Sequence, residues 1–219
     1  MSPVRAETLS RELRRRMSAK RVMDVVLTAP AAVALLPLFL ALAIGIKLDS
    51  PGPVFYRQVR VGRYGKPFRV WKFRSMVWHE ADPGPKITVA GDARITPFGQ
   101  FLRKYKLDEL PQLFNVLVGE MSLVGPRPEV PEYVECYPEP ARSIVLSVSP
   151  GITDNASLEF RDENELLRSE EDPERVYREQ ILPRKLAIYQ RYVSQRTLIG
   201  DLRLVSRTVL AVFRVGRAQ

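Results

Sequence analysis

Cysteine and histidine are almost missing from this chain of 219 residues, which has one of each, Cys136 and His79. A single cysteine excludes an internal disulfide and any cysteine-rich zinc site. A single histidine excludes multi-histidine metal sites and argues against a Ser-His-Asp machine. Any acid–base or nucleophilic chemistry therefore rests mainly on carboxylates, Lys, Arg or Tyr. Acidic residues are the scarcer charge: 25 Asp and Glu stand against 34 Lys and Arg, a net charge of +9. That excess points to a polyanionic partner, whether nucleic acid, anionic lipid headgroups or a phosphorylated substrate. Apolar residues are too few for a polytopic membrane protein, since mean hydropathy is −0.15. They are enough for a core, because a hydrophobic fraction of 45% excludes wholesale disorder. His79 lies in a polar run and reads as a surface residue, and Cys136 reads as buried filler.

One segment has membrane scale. Arg14, Arg15, Arg16, Lys20 and Arg21 precede an almost wholly apolar run over 22–46, broken by Asp24 and Thr28, and basic residues resume at Lys47 and Arg57. A cleaved signal peptide fits poorly, because the run is too long and starts too late. A straight helix would reach roughly 33 Å, enough to span a bilayer. Yet both flanks are basic, and positive charge favours the cytoplasmic side. Pro30 and Pro37 interrupt the run. A bend at Pro37 would leave arms of about 22 Å and 16 Å, each able to enter one leaflet and return. Re-entrant and spanning readings both stand on these grounds, because spanning helices tolerate proline.

Beyond it, 54–62 and 68–76 read as extended runs separated by turns, the second projecting Arg69, Lys72 and Arg74. The spacing predicts a helix over 96–106, with Thr96 as N-cap and Pro97 as its first residue. It predicts a second helix over 107–117, loops over 79–94, 120–131 and 149–161, and a short helix over 131–137. Residues 154–174 are acidic and read as a solvated surface. A helix over 175–193 is expected to break at Pro183, and the last helix covers 198–215. In that last helix Leu198, Leu202, Val205, Val209 and Val212 share a face, apart from Arg203, Arg207 and Arg214. Such a face either packs on a core or lies on a membrane surface, and the surface is favoured here.

The candidate chemistry centres on Asp108 and Glu109, adjacent carboxylates at a helix start. A helix N-terminus keeps a carboxylate ionised and also accepts phosphate. Ordinary capping is the bland alternative. Arg103, Lys104 and Lys106 precede the pair, and Arg127 follows between Pro126 and Pro128. The two prolines restrict the backbone, so a guanidinium suited to bidentate phosphate contact is aimed at little further entropic cost. Its alternative is a structural Arg paired with a carboxylate.

Several stretches, in order, resemble the bacterial sugar transferase family of monotopic phosphoglycosyl transferases. They are Arg-Val-Met-Asp at 21–24, Gly-Pro-Val-Phe-Tyr-Arg-Gln at 52–58 and Phe-Arg-Val-Trp-Lys-Phe-Arg-Ser-Met at 68–76. Thr-Pro-Phe-Gly-Gln-Phe-Leu-Arg at 96–103 and Leu-Asp-Glu-Leu-Pro-Gln-Leu-Phe-Asn-Val-Leu at 107–117 follow. Gly-Glu-Met-Ser-Leu-Val-Gly-Pro-Arg-Pro-Glu at 119–129 and Pro-Gly-Ile-Thr at 150–153 complete them. The resemblance implies an α+β fold: a small, mostly helical cytosolic domain with a re-entrant helix hairpin and amphipathic interfacial helices. It divides the chain into a basic segment (1–21), the hairpin (22–48, broken at Pro37), a catalytic domain (49–197) and a terminal interfacial helix (198–219). It implies transfer of a sugar-1-phosphate from a UDP-sugar to polyprenyl phosphate with release of UMP, in exopolysaccharide or glycoconjugate assembly. The expected place is the cytoplasmic face of a bacterial plasma membrane, among membrane lipids, with no nucleic acid and with a homodimer left open. Asp108 becomes the nucleophile, and Glu109 its partner in proton handling or in holding Mg²⁺, for which both carboxylates are the expected ligands. Lys72, Arg74, Arg103, Arg127 and Arg161 become substrate contacts.

Two departures stand out. Leu36-Pro37 replaces a Ser-Pro at the membrane break, and Asp154-Asn-Ala-Ser157 replaces Gly-Trp-Ala-Gln, so the sugar is not inherited. A membrane-anchored nucleic-acid-binding protein, or an inactive scaffold, is the rival reading. It explains the charge but not the carboxylate pair.

Overall fold

The computed structural model describes residues 3–78, 88–89, 91–160, 163–168 and 170–215. His79 and Arg161 lie outside the described residues. Helix α1 (Pro3–Ala34) carries Pro30 without a break, whereas α2 (Leu36–Asp49) starts at a break on Leu35. Pro37 falls in the first turn of α2, where its missing N–H costs nothing, but its ring excludes the carbonyl one turn earlier. The two arms therefore meet at a bend of 59°. Among the described residues no single helix is long and apolar enough to cross a membrane, while the bent pair passes that test together.

Strands β1 (Phe55–Val61) and β2 (Pro67–Phe73) form an antiparallel ribbon with Phe55 opposite Phe73 and Val61 opposite Pro67. Phe55 stacks on Phe73 at 5.3 Å, and Phe39 of α2 meets Phe73 edge-on at 5.3 Å. With Leu102 of α3 (Pro97–Lys104), these rings fuse the hairpin to the ribbon. Thr96 caps α3 by accepting from Gly99 N at 3.0 Å, as its sequence position predicts.

The expected helix over 107–117 is divided. A single 3₁₀ turn, Leu107–Glu109, precedes α4 (Gln112–Val118). Asp108 and Glu109 thus sit in that turn and not in the first turn of α4. Asn115, fully buried, accepts from Trp71 N at 2.9 Å and donates to Arg69 O at 2.9 Å, so α4 is bonded to β2 as a further strand would be.

Two segments read as loops hold strands. β3 (Ser122–Val124) pairs in parallel with β4 (Gly151–Thr153). Their approach is so close that a Cβ at Gly125 or Gly151 would strike the other's backbone. Three-residue strands made by glycine contact have no alternating pattern to read. The same expected loop also contains α7 (Asn155–Glu159), capped by Asp154, which is buried and not part of a solvated acidic surface.

The remaining helices are α5 (Pro131–Glu135), α6 (Ala141–Val145), α8 (Glu163–Arg168), α9 (Pro173–Val176), α10 (Leu182–Gln195) and α11 (Leu198–Val215). Cys136, at the end of α5, is exposed. The helix does not stop at Pro183. A π turn, Tyr177–Ile181, joins α9 to α10, and the widened turn removes the clash with the earlier carbonyl. Tyr133, Tyr177, Ile181, Leu186 and Tyr189 form the core of this half. On α11 the packed side chains are Asp201 and Leu204, while Leu198, Leu202 and Val209 of the expected face are exposed. The Val212 and Arg214 side chains lie outside the described ones.

Candidate active site

The site forms where β2 ends, the 3₁₀ turn begins and the loop after β3 returns. Lys106 adopts a left-handed conformation, φ 56°, which reverses the chain after α3. Of the two carboxylates that follow, Asp108 is buried at 7% exposure and Glu109 is partly buried. Lys72 Nζ donates to Glu109 Oε1 at 3.0 Å. Arg127 Nη1 donates to Glu109 Oε2 at 3.1 Å, and Nη2 donates to Oε1, closing a two-pronged pair. Lys72, Arg127, Asp108 and Glu109 are therefore one cluster. Arg103 lies at its edge: Nε donates to Ser75 Oγ at 2.9 Å, and its charge faces Asp108.

The adjacent carboxylates are driven apart in proton affinity. Burial, then the Glu109 carboxylate, pushes Asp108 above its ordinary value, against the pull of Lys72 and Arg103. Burial would also raise Glu109, but Arg127 and Lys72 outweigh it and hold that carboxyl well below its ordinary value. Glu109 is thus a fixed anion that keeps two cations in place, and Asp108 is the member of the pair that titrates. Asp108 Oδ1 is buried with no hydrogen-bond partner. A carboxylate oxygen left bare among cations is open to bond to an incoming group.

Arg127 is aimed by its loop. Gly151 N donates to Pro126 O at 2.9 Å, and Arg60 Nη1 donates to Pro128 O at 3.1 Å. Glu129 lies 3.5 Å from Arg60 Nη1 and accepts from Tyr177 OH at 2.5 Å. The carboxylate partner of Arg127 is thus Glu109, and Glu129 serves the support behind it. The contacts Arg60–Pro128, Arg60–Glu129, Glu129–Tyr177 and Trp71–Asn115 that build this support carry no signal in the sequence, because each spans more than 40 positions.

Arg74 does not join the cluster. It is 4% exposed and donates to Ser50 O at 2.7 Å, Ile46 O at 3.2 Å and Pro51 O, capping the end of α2. Gly52, at φ +117°, leaves room for it, since a Cβ there would strike Nη1. At the opposite side of the hairpin Arg21 donates to Val116 O and, at 2.6 Å, to Leu117 O, capping α4. Asp24 accepts from Leu123 N at 3.2 Å.

The arrangement is thus a carboxylate pair, one member bare and the other held between two cations, at the junction of β2, the 3₁₀ turn and the loop after β3. The chain belongs to the bacterial sugar transferase family, whose model matches residues 15–215. It is 40% identical over 199 residues to a UDP-glucose:undecaprenyl-phosphate glucose-1-phosphate transferase of Xanthomonas campestris pv. campestris, covering 89% of this chain and 38% of that protein. A protein of the same description in Escherichia coli (strain K12) is 37% identical, with 89% of this chain and 40% of that one covered. A third, from Caulobacter vibrioides, is 38% identical over 91% of this chain and 71% of its own length. The chain thus spans about two fifths of the first two relatives.

Proposed function

We propose that the protein transfers a sugar-1-phosphate from a UDP-sugar to undecaprenyl phosphate, at the membrane and in polysaccharide assembly. The observation that carries this reading is the unpartnered Asp108 Oδ1 inside a cluster whose other carboxylate is already neutralised. In the first step Asp108 attacks the phosphorus bearing the sugar. The bond from that phosphorus to the bridging oxygen breaks, and its electron pair leaves with UMP. In the second step a phosphate oxygen of the lipid acceptor attacks the same phosphorus and the carboxylate is restored. Lys72, Arg103 and Arg127 neutralise the donor's diphosphate, which phosphoryl transfer needs more than it needs a histidine base. The relatives' names favour UDP-glucose as the first donor to test.

Among the described residues no three His, Cys, Asp or Glu converge on one point. Mg²⁺ is commonly held by one or two carboxylates together with substrate phosphates. Of the two carboxylates only Asp108 has an oxygen to spare for an ion, whereas both Glu109 oxygens are taken by Arg127 and Lys72. When bound, the ion would neutralise charge on the donor diphosphate.

The bent helix pair is read as re-entrant. Two arms joined at a 59° bend leave and regain one membrane face only as a shallow V, each arm inclined about 30° to the plane. The 14-residue α2 arm then reaches a depth of about 10 Å, well inside one leaflet.

The test is UMP release from UDP-glucose and other UDP-sugars with undecaprenyl phosphate, together with intact-protein mass spectrometry after donor alone. Wild type should carry a phosphosugar adduct that Asp108→Asn lacks. An Asn variant that turns over normally would reduce Asp108 to a structural residue.

A further inference from the structure

A second cationic groove is lined by neither Asp108 nor Glu109. Helices α7, α10 and α11 enclose an open groove of about 600 Å³. Four arginines line it: Arg191 and Arg196 at the end of α10, and Arg203 and Arg207 on α11. Among the described residues none of the four is ion-paired. The groove's two acids do not offset them. Asp201 is 2% exposed and committed to Lys20 at 2.6 Å, with Tyr192 OH 3.0 Å away, and Glu159 is a single exposed carboxylate. Four guanidiniums drawn around one concavity with so little countercharge are unfavourable until an anion enters.

The Lys20–Asp201 pair also fixes the height of the groove. Lys20 and Arg21 are the last basic residues before the apolar run of α1 opens at Val22. On the re-entrant reading above, on which this inference rests, that point lies at the headgroup layer. Asp201 is therefore at the same level, and Arg203 and Arg207 follow within two turns of it. The same helix exposes Leu198, Ile199, Leu202, Val209 and Leu210, an apolar band continuous with the cationic one. An acyl chain beside a phosphate has this pair of chemistries, and free phosphate has only one of them. We infer that the Arg191–Arg196–Arg203–Arg207 groove binds the phosphate headgroup of an anionic phospholipid, with the exposed apolar band of α11 against its acyl chains.

The full chain in detergent is titrated with short-chain phosphatidylglycerol, short-chain phosphatidylcholine, inorganic phosphate and a short oligonucleotide, and retention is read by native mass spectrometry. Phosphatidylglycerol should be retained one per chain, ahead of the other three. The triple variant Arg191→Gln, Arg203→Gln, Arg207→Gln should weaken it on the order of 100-fold, since each basic residue near an anionic surface contributes about fivefold. A charge-matched triple at exposed positions elsewhere, Lys66→Gln, Arg142→Gln, Arg184→Gln, should retain the lipid. Equal retention by the groove variant, or equal loss in the charge-matched control, overturns the site. Groove-dependent retention of phosphate or oligonucleotide in preference to the lipid overturns its ligand. UMP release measured on the same groove variant in detergent without anionic lipid should match wild type. Loss of that activity in every preparation would instead indict the transferase reading.

Discussion

At the level of single residues the site is an exercise in keeping two neighbouring carboxylates unlike. Glu109 is held ionised by Arg127 and Lys72, which leaves Asp108 to meet the pH of the solution. On the proposed mechanism Asp108 attacks only when ionised, so kcat/KM should fall on the acid side with a midpoint above the ordinary aspartate value of 3.8. Lys72 pulls that midpoint down, so removing its charge must push it up. Lys72→Met should move the acid limb of a pH–rate profile to higher pH, and an unmoved limb would take Lys72 out of the field of Asp108. Arg127→Lys keeps the charge but loses the fork that grips Glu109. Both the melting temperature and kcat/KM should fall, the latter roughly 10- to 100-fold or about 1.4–2.7 kcal/mol. A destabilised variant with full activity per folded molecule would confine Arg127 to holding Glu109. The identities at 108, 109, 72 and 127 are legible in the sequence. Which of them bond to each other is not, because the pairs bridge 18 and 37 positions.

Among the elements, those with strong local signals match the sequence reading. Thr96-Pro97 starts α3, and the ribbon β1–β2 occupies the two extended runs. The failures share a cause. β3 and β4, read as loops, exist because Gly125 and Gly151 let distant backbones touch, and Pro183 is absorbed by a π turn within a packed helix. Arg74 is expected at the substrate because it projects, with Lys72, from one extended run. It falls just past the end of β2, however, and turns to the carbonyls closing α2. Arg74→Met leaves those carbonyls unsatisfied and should cost about 2–3 kcal/mol in chemical unfolding, with faster amide exchange at the end of α2. Lost kcat/KM at unchanged stability would return Arg74 to the substrate.

For the molecule as a whole, the hairpin and the site are one mechanical unit. Arg21 and Asp24 tie α1 to α4 and β3, and Arg74 ties α2 to β2, so the carboxylates keep a fixed height above the bend. Pro37→Ala restores a helix of roughly membrane length and should shift part of the population to a spanning form. Cysteine labelling near residue 10 reads the outcome: wild type should label only from the side of the catalytic domain, and the variant also from the other. Identical labelling of the two would show that the bend is held by Arg21, Asp24 and Arg74 without help from proline. The sequence by itself determined the chemical inventory: carboxylates and cations in place of histidine and cysteine, one apolar run with basic flanks and a proline, and the motifs of the family. Only the tertiary structure decided which carboxylate is free. That choice depends on the placement of Lys72 and Arg127 around Glu109 across the fold, and electrostatic energy follows distance in space and not separation along the chain.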